Sequence, residues 1–440
     1  MDDLLDLAQK ACEAATAAGA EFVDASAGRG RNLSVELEKG TIKSCDARWG
    51  AGVSVRAFVH GGQGSASSTG LDEAEALAAA RTAAELAKAA QPDPDFVSLP
   101  EPAEYPTVDG LYDTRIAELD VQQLIRWAID NIDSARTVDP HVLVNGGAQA
   151  AWAERAFANS LGLQAASRGS NAGISIFAIV RRSDDDVGSY FDFDAGCVLD
   201  DFEPDGVGAK ATEQAHRFLG ARKIDTGVLP VVFGPLAAHA IFGMLCGSAN
   251  AESVQRRRSF LIGRKGQRVA SDLLTLTDNA LIPRGLSSSP FDGEGFPRKP
   301  LVVVENGILK SWLHNSYTAA KAGEPNTGHS TRGGIAPTNV NPTLGDRLAH
   351  DILGEVGEGL YLPAGHLSPN AASGDFSNSV DFGFKIENGQ LAYPVKNTMI
   401  AGNVLDFLGR LDAISSDYRE EPGALMPTIR VQDVRVAGGR

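Results

Sequence analysis

The residues best placed to do chemistry in this chain lie in Gly234-Pro235-Leu236-Ala237-Ala238-His239-Ala240-Ile241-Phe242-Gly243-Met244. The segment follows a short apolar run, Val228 to Phe233, that reads as a strand, and it opens like a buried helix. A metallopeptidase helix of the form H-E-x-x-x-H would set two imidazoles and a general-base carboxylate over a zinc ion. In that register this chain has His239, then Ala240 in place of the Glu, then Met244 in place of the second His. Zinc hydrolysis needs about three protein ligands, an open water position and a carboxylate to take the water's proton. A lone imidazole does not hold zinc usefully, and Ala240 cannot act as a base. His239 taken alone reads as a helix histidine packed against its neighbours.

A second stretch, Phe291-Asp292-Gly293-Glu294-Gly295, puts two carboxylates two residues apart in a glycine-rich loop flanked by Pro290 and Pro297. Two readings stand side by side: a loop lining a peptide groove or subunit interface, or a tight turn with solvated acids. His314, His329, His350 and His366 have no ligand partner at a recognised zinc spacing and read as scattered histidines. There is no G-x-S-x-G elbow, no phosphate-binding G-x-x-x-x-G-K-[ST] frame and no dinucleotide fingerprint. Arg256-Arg257-Arg258 is a basic triplet, either a solvated face or a contact for an acidic partner.

Composition narrows the classes further. The chain has 440 residues, 43% of them hydrophobic, and a net charge of -16. That balance argues against nucleic acid as a partner, because phosphate binding rests on basic surface. Cys12, Cys45, Cys197 and Cys246 are far apart and form no C-x-x-C pair, which predicts reduced thiols and a cytoplasmic setting. The acidic start, Met1-Asp2-Asp3, lacks the pattern of a secretory signal, and no apolar run approaches the ~20 residues that span a bilayer. A membrane is not expected as a partner.

The elements that must position these residues predict an α+β fold. Leu4, Leu7, Ala8, Ala11, Cys12 and Ala15 share one helical face. Alternating runs at 33–37, 41–45 and 53–59 predict a β-meander, and Asp72 opens an Ala-rich helix to about Ala90. A Pro-containing linker follows, to Pro106. A second unit carries an amphipathic helix over 121–136, short strands at 142–144, 148–153 and 155–158, a hairpin over 174–193, and a helix over 210–219. From Gly227 helical periodicity is rare, and Asn306-Gly307 and Asn388-Gly389 predict two-residue hairpin turns. The expected organisation is antiparallel sheet units with helices over 1–106 and 107–225, then a mostly-β C-terminal domain over 226–440.

The C-terminal half resembles the TldD/PmbA family, and its TldE (PmbA) branch in particular. The resemblance is carried, in order, by Ser259-Phe260-Leu261-Ile262-Gly263-Arg264-Lys265-Gly266-Gln267, Pro290-Phe291-Asp292-Gly293-Glu294-Gly295, Asn315-Ser316-Tyr317-Thr318-Ala319, Pro337-Thr338-Asn339, Ser373-Gly374-Asp375-Phe376-Ser377, Tyr393-Pro394-Val395 and Ile400-Ala401-Gly402-Asn403. The resemblance implies a two-subunit protease acting on unfolded or extended peptides, including leader removal from modified-peptide precursors. It implies that zinc, held by H-E-x-x-x-H and a later cysteine, resides in a TldD-type catalytic partner. This chain departs from that pattern at Ala240 and Met244, and it has no cysteine after Cys246. The expectation is a non-catalytic subunit without its own cofactor, with Phe291, Asp292, Glu294, Tyr317, Arg332 and Asp375 as groove or interface residues. The rivals are a self-sufficient peptidase with an atypical metal site and a homodimeric peptide-binding scaffold.

Overall fold

A computed structural model describes residues 1–439. Helix α1 (Asp2–Ala17) buries the predicted stripe of Leu4, Leu7, Ala8, Ala11, Cys12 and Ala15, with Asp2 and Asp3 at its positive end. Helix α2 (Glu73–Ala89) starts where the Asp72 carboxylate accepts the Glu75 N–H at 3.0 Å. Its buried face is entirely alanine. Small side chains let it approach the sheet so closely that a Cβ on Gly64 would lie 2.2 Å from the Ala83 carbonyl oxygen.

The sheet beneath these helices has six antiparallel strands: β1 (Phe22–Glu38), β2 (Thr41–Val59), β3 (Gly62–Thr69), β4 (Leu143–Asn159), β5 (Gln164–Ser183) and β6 (Asp186–Gly196). Their order is β3-β2-β1-β4-β5-β6. Strand β1 pairs with β2 on one side and β4 on the other, so the segments before and after the 91–106 linker share one sheet. The strands are longer than the sequence predicts. The runs at 41–45 and 53–59 are one 19-residue strand, and the three short runs between 142 and 158 are one 17-residue strand. The glycines that resemble turn punctuation lie inside these strands. A Cβ on Gly147 would meet the Val35 carbonyl oxygen at 2.1 Å, so glycine here permits close strand approach rather than a reversal.

Two helical layers cover one face of the sheet. Helices α1 and α2 lie over Val23, Ala25, Val53 and Val55. Helices α3 (Thr114–Glu118), α4 (Val121–Val138) and α5 (Val207–His216) lie over Leu33, Val35, Ile174 and Ile176. Helix α5 begins and ends three residues earlier than predicted, because Gly206 at φ 78° starts it.

The C-terminal region is mostly β, as expected. Strand β7 (Gly227–Phe233) lies within an eight-stranded mixed sheet, parallel to Glu358–Leu362 and antiparallel to Ala424–Gly438. A four-stranded sheet packs nearby. Both Asn-Gly turns form as predicted, with φ of 48° and 77° at Asn306 and Gly307, and 52° and 75° at Asn388 and Gly389. Helix α6 (Pro235–Ser248) leaves β7 directly and buries Ala237, Ala238, Ile241, Phe242, Leu245 and Cys246. Among the described residues no helix is long and apolar enough to cross a membrane. All four cysteines are free, and only Cys45 is exposed.

Candidate functional site

Helix α6 turns one face inward and leaves a second half-exposed. The second face carries His239, Ala240, Gly243, Met244, Gly247 and Ser248. A Cβ added to Gly243 or Gly247 would meet nothing within 4 Å, so this face is open. The His239 Nδ1 is out of contact with solvent and has no hydrogen-bond partner. Burial holds its pKa below the ordinary imidazole value. Met244 packs partly against the core, and its carbonyl oxygen accepts the Ser248 hydroxyl at 2.8 Å. One neutral imidazole with no carboxylate does not make a zinc site. Among the described residues no three His, Cys, Asp or Glu side chains converge as metal ligands. The other histidines are dispersed. His329 is enclosed between Thr327 Oγ1 (2.9 Å) and Asp278 Oδ1 (3.2 Å), His314 contacts Thr318 Oγ1 at 3.1 Å, and His350 and His366 are exposed.

The acidic loop is not a turn with solvated acids. Asp292 is 1% exposed. Its Oδ1 accepts the N–H groups of Glu294 (2.9 Å) and Phe296 (3.0 Å), and its Oδ2 accepts that of Ser330 (3.0 Å). Burial, then the neighbouring Glu294 charge, push its pKa up to about 6. Phe291 is buried against Phe157, Leu163 and Ala165. Glu294 accepts the Ser316 N–H at 3.0 Å and meets Arg56 Nη2 at 3.4 Å, while Arg56 Nε donates to Asp24 at 2.9 Å. The loop therefore fastens the C-terminal domain to the outer face of the N-terminal sheet, through buried acids rather than solvated ones.

Above that junction lies a cleft of about 760 Å³, lined by segments of β1, β2, β3 and β4 and by Phe291, Asp292, Arg298 and Arg332. Phe291, Asp292 and Arg332 thus meet at one cleft. Glu294 lines an adjoining hollow together with Arg332, whose Nη2 donates to Ser54 Oγ at 3.0 Å. Two candidates lie elsewhere. Tyr317 donates its hydroxyl to Asp93 Oδ2 at 2.9 Å and pins the linker. Asp375 is exposed in another hollow, where it accepts from Asn403 Nδ2 at 3.0 Å.

Residues that the sequence does not single out complete the cleft. The Arg155 guanidinium lies 4.7 Å from the Phe291 ring centroid, and its Nη2 donates to the Phe291 carbonyl oxygen at 3.3 Å. Arg298 and Ser68 also line it. Arg155 follows Glu154 and Arg298 precedes Lys299 in otherwise unremarkable sequence, and only their non-local positions mark them.

Comparison with known proteins places this geometry in a family. Residues 23–87, 114–219 and 226–438 match, respectively, domain 1, the central domain and the C-terminal domain of the PmbA/TldA metallopeptidases. The chain is 28% identical over 417 residues to Metalloprotease PmbA of Escherichia coli O157:H7, covering 92% of this chain and 90% of that protein. It is 24% identical over 264 residues to a zinc metalloprotease TldD homolog of Saccharolobus solfataricus, covering 58% of this chain and 59% of that protein. The crystal structure of TldE from Thermococcus kodakarensis superposes with a TM-score of 0.88 at 26% identity, covering 100% of both chains. With three domains matched in order along one chain, the protein belongs to the PmbA/TldD metallopeptidase family.

Proposed function

We propose that this chain is the TldE-like, non-catalytic subunit of a two-subunit zinc protease that acts on unfolded or extended peptides. The observation that carries the reading is the open face of α6, which offers His239, Ala240 and Met244 where the catalytic chemistry asks for two imidazoles and a carboxylate. The full-length likeness to TldE supports it. In this reading a TldD-type partner supplies the zinc, and this chain helps enclose and position the peptide. Among the described residues no strand pairs with the outer edge of β2 over 41–50, because β3 pairs only with Gly52–Val59. Such an edge accepts an extended peptide through main-chain hydrogen bonds with little demand on its sequence.

The test is reconstitution. Purified chain is mixed with a TldD-type subunit from the same genome and assayed on an unstructured peptide. The mixture is expected to cleave, and this chain alone is not. Equal activity from the partner by itself would contradict the reading.

A further inference from the structure

We propose that the cleft between the N-terminal sheet and the 290–298 loop binds a carboxylate of an extended peptide, either its C-terminus or an Asp or Glu side chain. This rests on the peptide-holding reading and adds what the peptide must carry.

The cleft collects more positive than negative side chains, with Arg29, Arg155, Arg298 and Arg332 set against Glu154 and Asp292. Arg155, Arg298 and Arg332 all line it, and among the described residues none of them forms an ion pair. Arg155 is bonded only to neutral groups, the Ser167 hydroxyl (3.0 Å) and the Phe291 carbonyl. Arg332 is bonded to the Ser54 hydroxyl. Arg298 is the most exposed energetically: its Nε and Nη1 are sealed from solvent and have no hydrogen-bond partner. A buried guanidinium in that state is costly until a negative charge arrives.

The neighbouring acid Asp292 attracts both buried arginines but, among the described residues, forms no ion pair or hydrogen bond with either. Both Asp292 oxygens are already engaged by backbone N–H groups. Burial is the largest influence on Arg155 and Arg298 and lowers both pKa values; repulsion from Arg298 adds to it at Arg155, while attraction to Asp292 opposes it at both and Asp278 opposes it at Arg298. Arginines from the sheet and from the C-terminal domain thus border one space. In a chain of net charge -16, such a basic hollow focuses the field on an anion.

Peptide is favoured over polyphosphate by the surroundings. The unpaired edge of β2 reaches the cleft at Gly50, so a bound strand would lead there. Arginine forks suit a carboxylate in two parallel hydrogen bonds. The acidic surface opposes a long phosphate backbone.

The test uses the isolated full chain, so it reads binding and not activation of a partner. Three fluorescent-labelled decapeptides of Ala, Ser and Thr are titrated by anisotropy at low salt: one with a free C-terminal carboxylate, its C-terminal amide, and the amide with one internal Glu. At least one carboxylate peptide is expected to bind about tenfold more tightly than the plain amide. Which of the two does so tells a terminal from a side-chain carboxylate. Arg298→Gln should collapse that preference, and exposed Arg332→Gln, which should leave folding intact, should reduce it. Equal affinity for all three peptides, or a preference unchanged in both variants, would overturn the proposal. If the preference holds while reconstitution fails, the subunit role falls and the carboxylate site stands.

Discussion

Asp292 shows how one side chain can combine a structural role with a pH response. Its carboxylate ties together three backbone N–H groups at the domain junction, yet burial raises its pKa from 3.8 to about 6. The folded chain therefore holds a proton there that the unfolded chain has released. The stability this gives is present below about pH 4 and is lost as pH rises through about 6, an effect of about 3 kcal/mol. Asp292→Asn lacks the titration. Calorimetry from pH 4 to 7.5 should show the wild type losing stability relative to this variant as pH rises, and a constant gap would refute the assignment. On α6, Ala240→Glu with Met244→His rebuilds the missing residue types on paper. Met244 is only half-buried, so the cost should be about 1 kcal/mol. Neither a third ligand nor groups to orient the imidazoles are present, so the double variant is expected to take up no stoichiometric zinc and to cleave nothing alone. Elemental analysis and a peptidase assay check both.

Helix contacts give sharper expectations at the scale of elements. Helices α4 and α5 meet at Gly208, whose N–H donates to the buried Asn131 side chain at 2.8 Å. A Cβ there would lie 2.0 Å from the Asn131 carbonyl oxygen, so Gly208→Ala should cost about 1–3 kcal/mol, read as a fall in Tm. Gly243 in α6 is the contrast. It has open space around its missing Cβ, and Gly243→Ala should stabilise the isolated chain by about 0.5–1 kcal/mol through helix propensity. If the open face of α6 abuts the proposed partner, the same variant should weaken reconstituted activity. Helical faces and Asn-Gly turns were legible from sequence, because periodicity and backbone conformation are local. Strand length was not. Gly50, Gly52, Gly146 and Gly147 carry the same local signal inside a strand as in a turn, and only the neighbouring strand distinguishes the two.

Across the whole molecule, the joint between the N-terminal sheet and the C-terminal domain is held by buried charge. Arg56 bridges Asp24 on β1 to Glu294 on the loop, and Tyr105 donates its hydroxyl to the Gly295 carbonyl oxygen at 2.8 Å. Glu294→Ala removes the acceptor of both Arg56 and the Ser316 N–H. It should cost about 1–3 kcal/mol and separate the thermal unfolding of the two parts. A single unchanged calorimetric transition would show that the loop does not fasten them.

What the sequence determined by itself was the fold class and the family resemblance, and it is from sequence register that Ala240 and Met244 are read as departures from a zinc-hydrolysis motif. These depend on residue type and short spacing. Of the six expected groove or interface residues, Phe291, Asp292, Glu294 and Arg332 gather at the cleft and its adjoining hollow, Tyr317 bonds the linker at Asp93 outside it, and Asp375 lies in a separate hollow. The tertiary structure alone decided that the acidic loop is buried and that its acids serve the backbone. It alone brought Arg155 to Phe291, 136 positions away in the chain, and left Arg298 Nε and Nη1 without hydrogen-bond partners. Whether a charge is solvated, paired or stranded depends on what the folded chain brings within a few ångströms of it, and no local spacing encodes that.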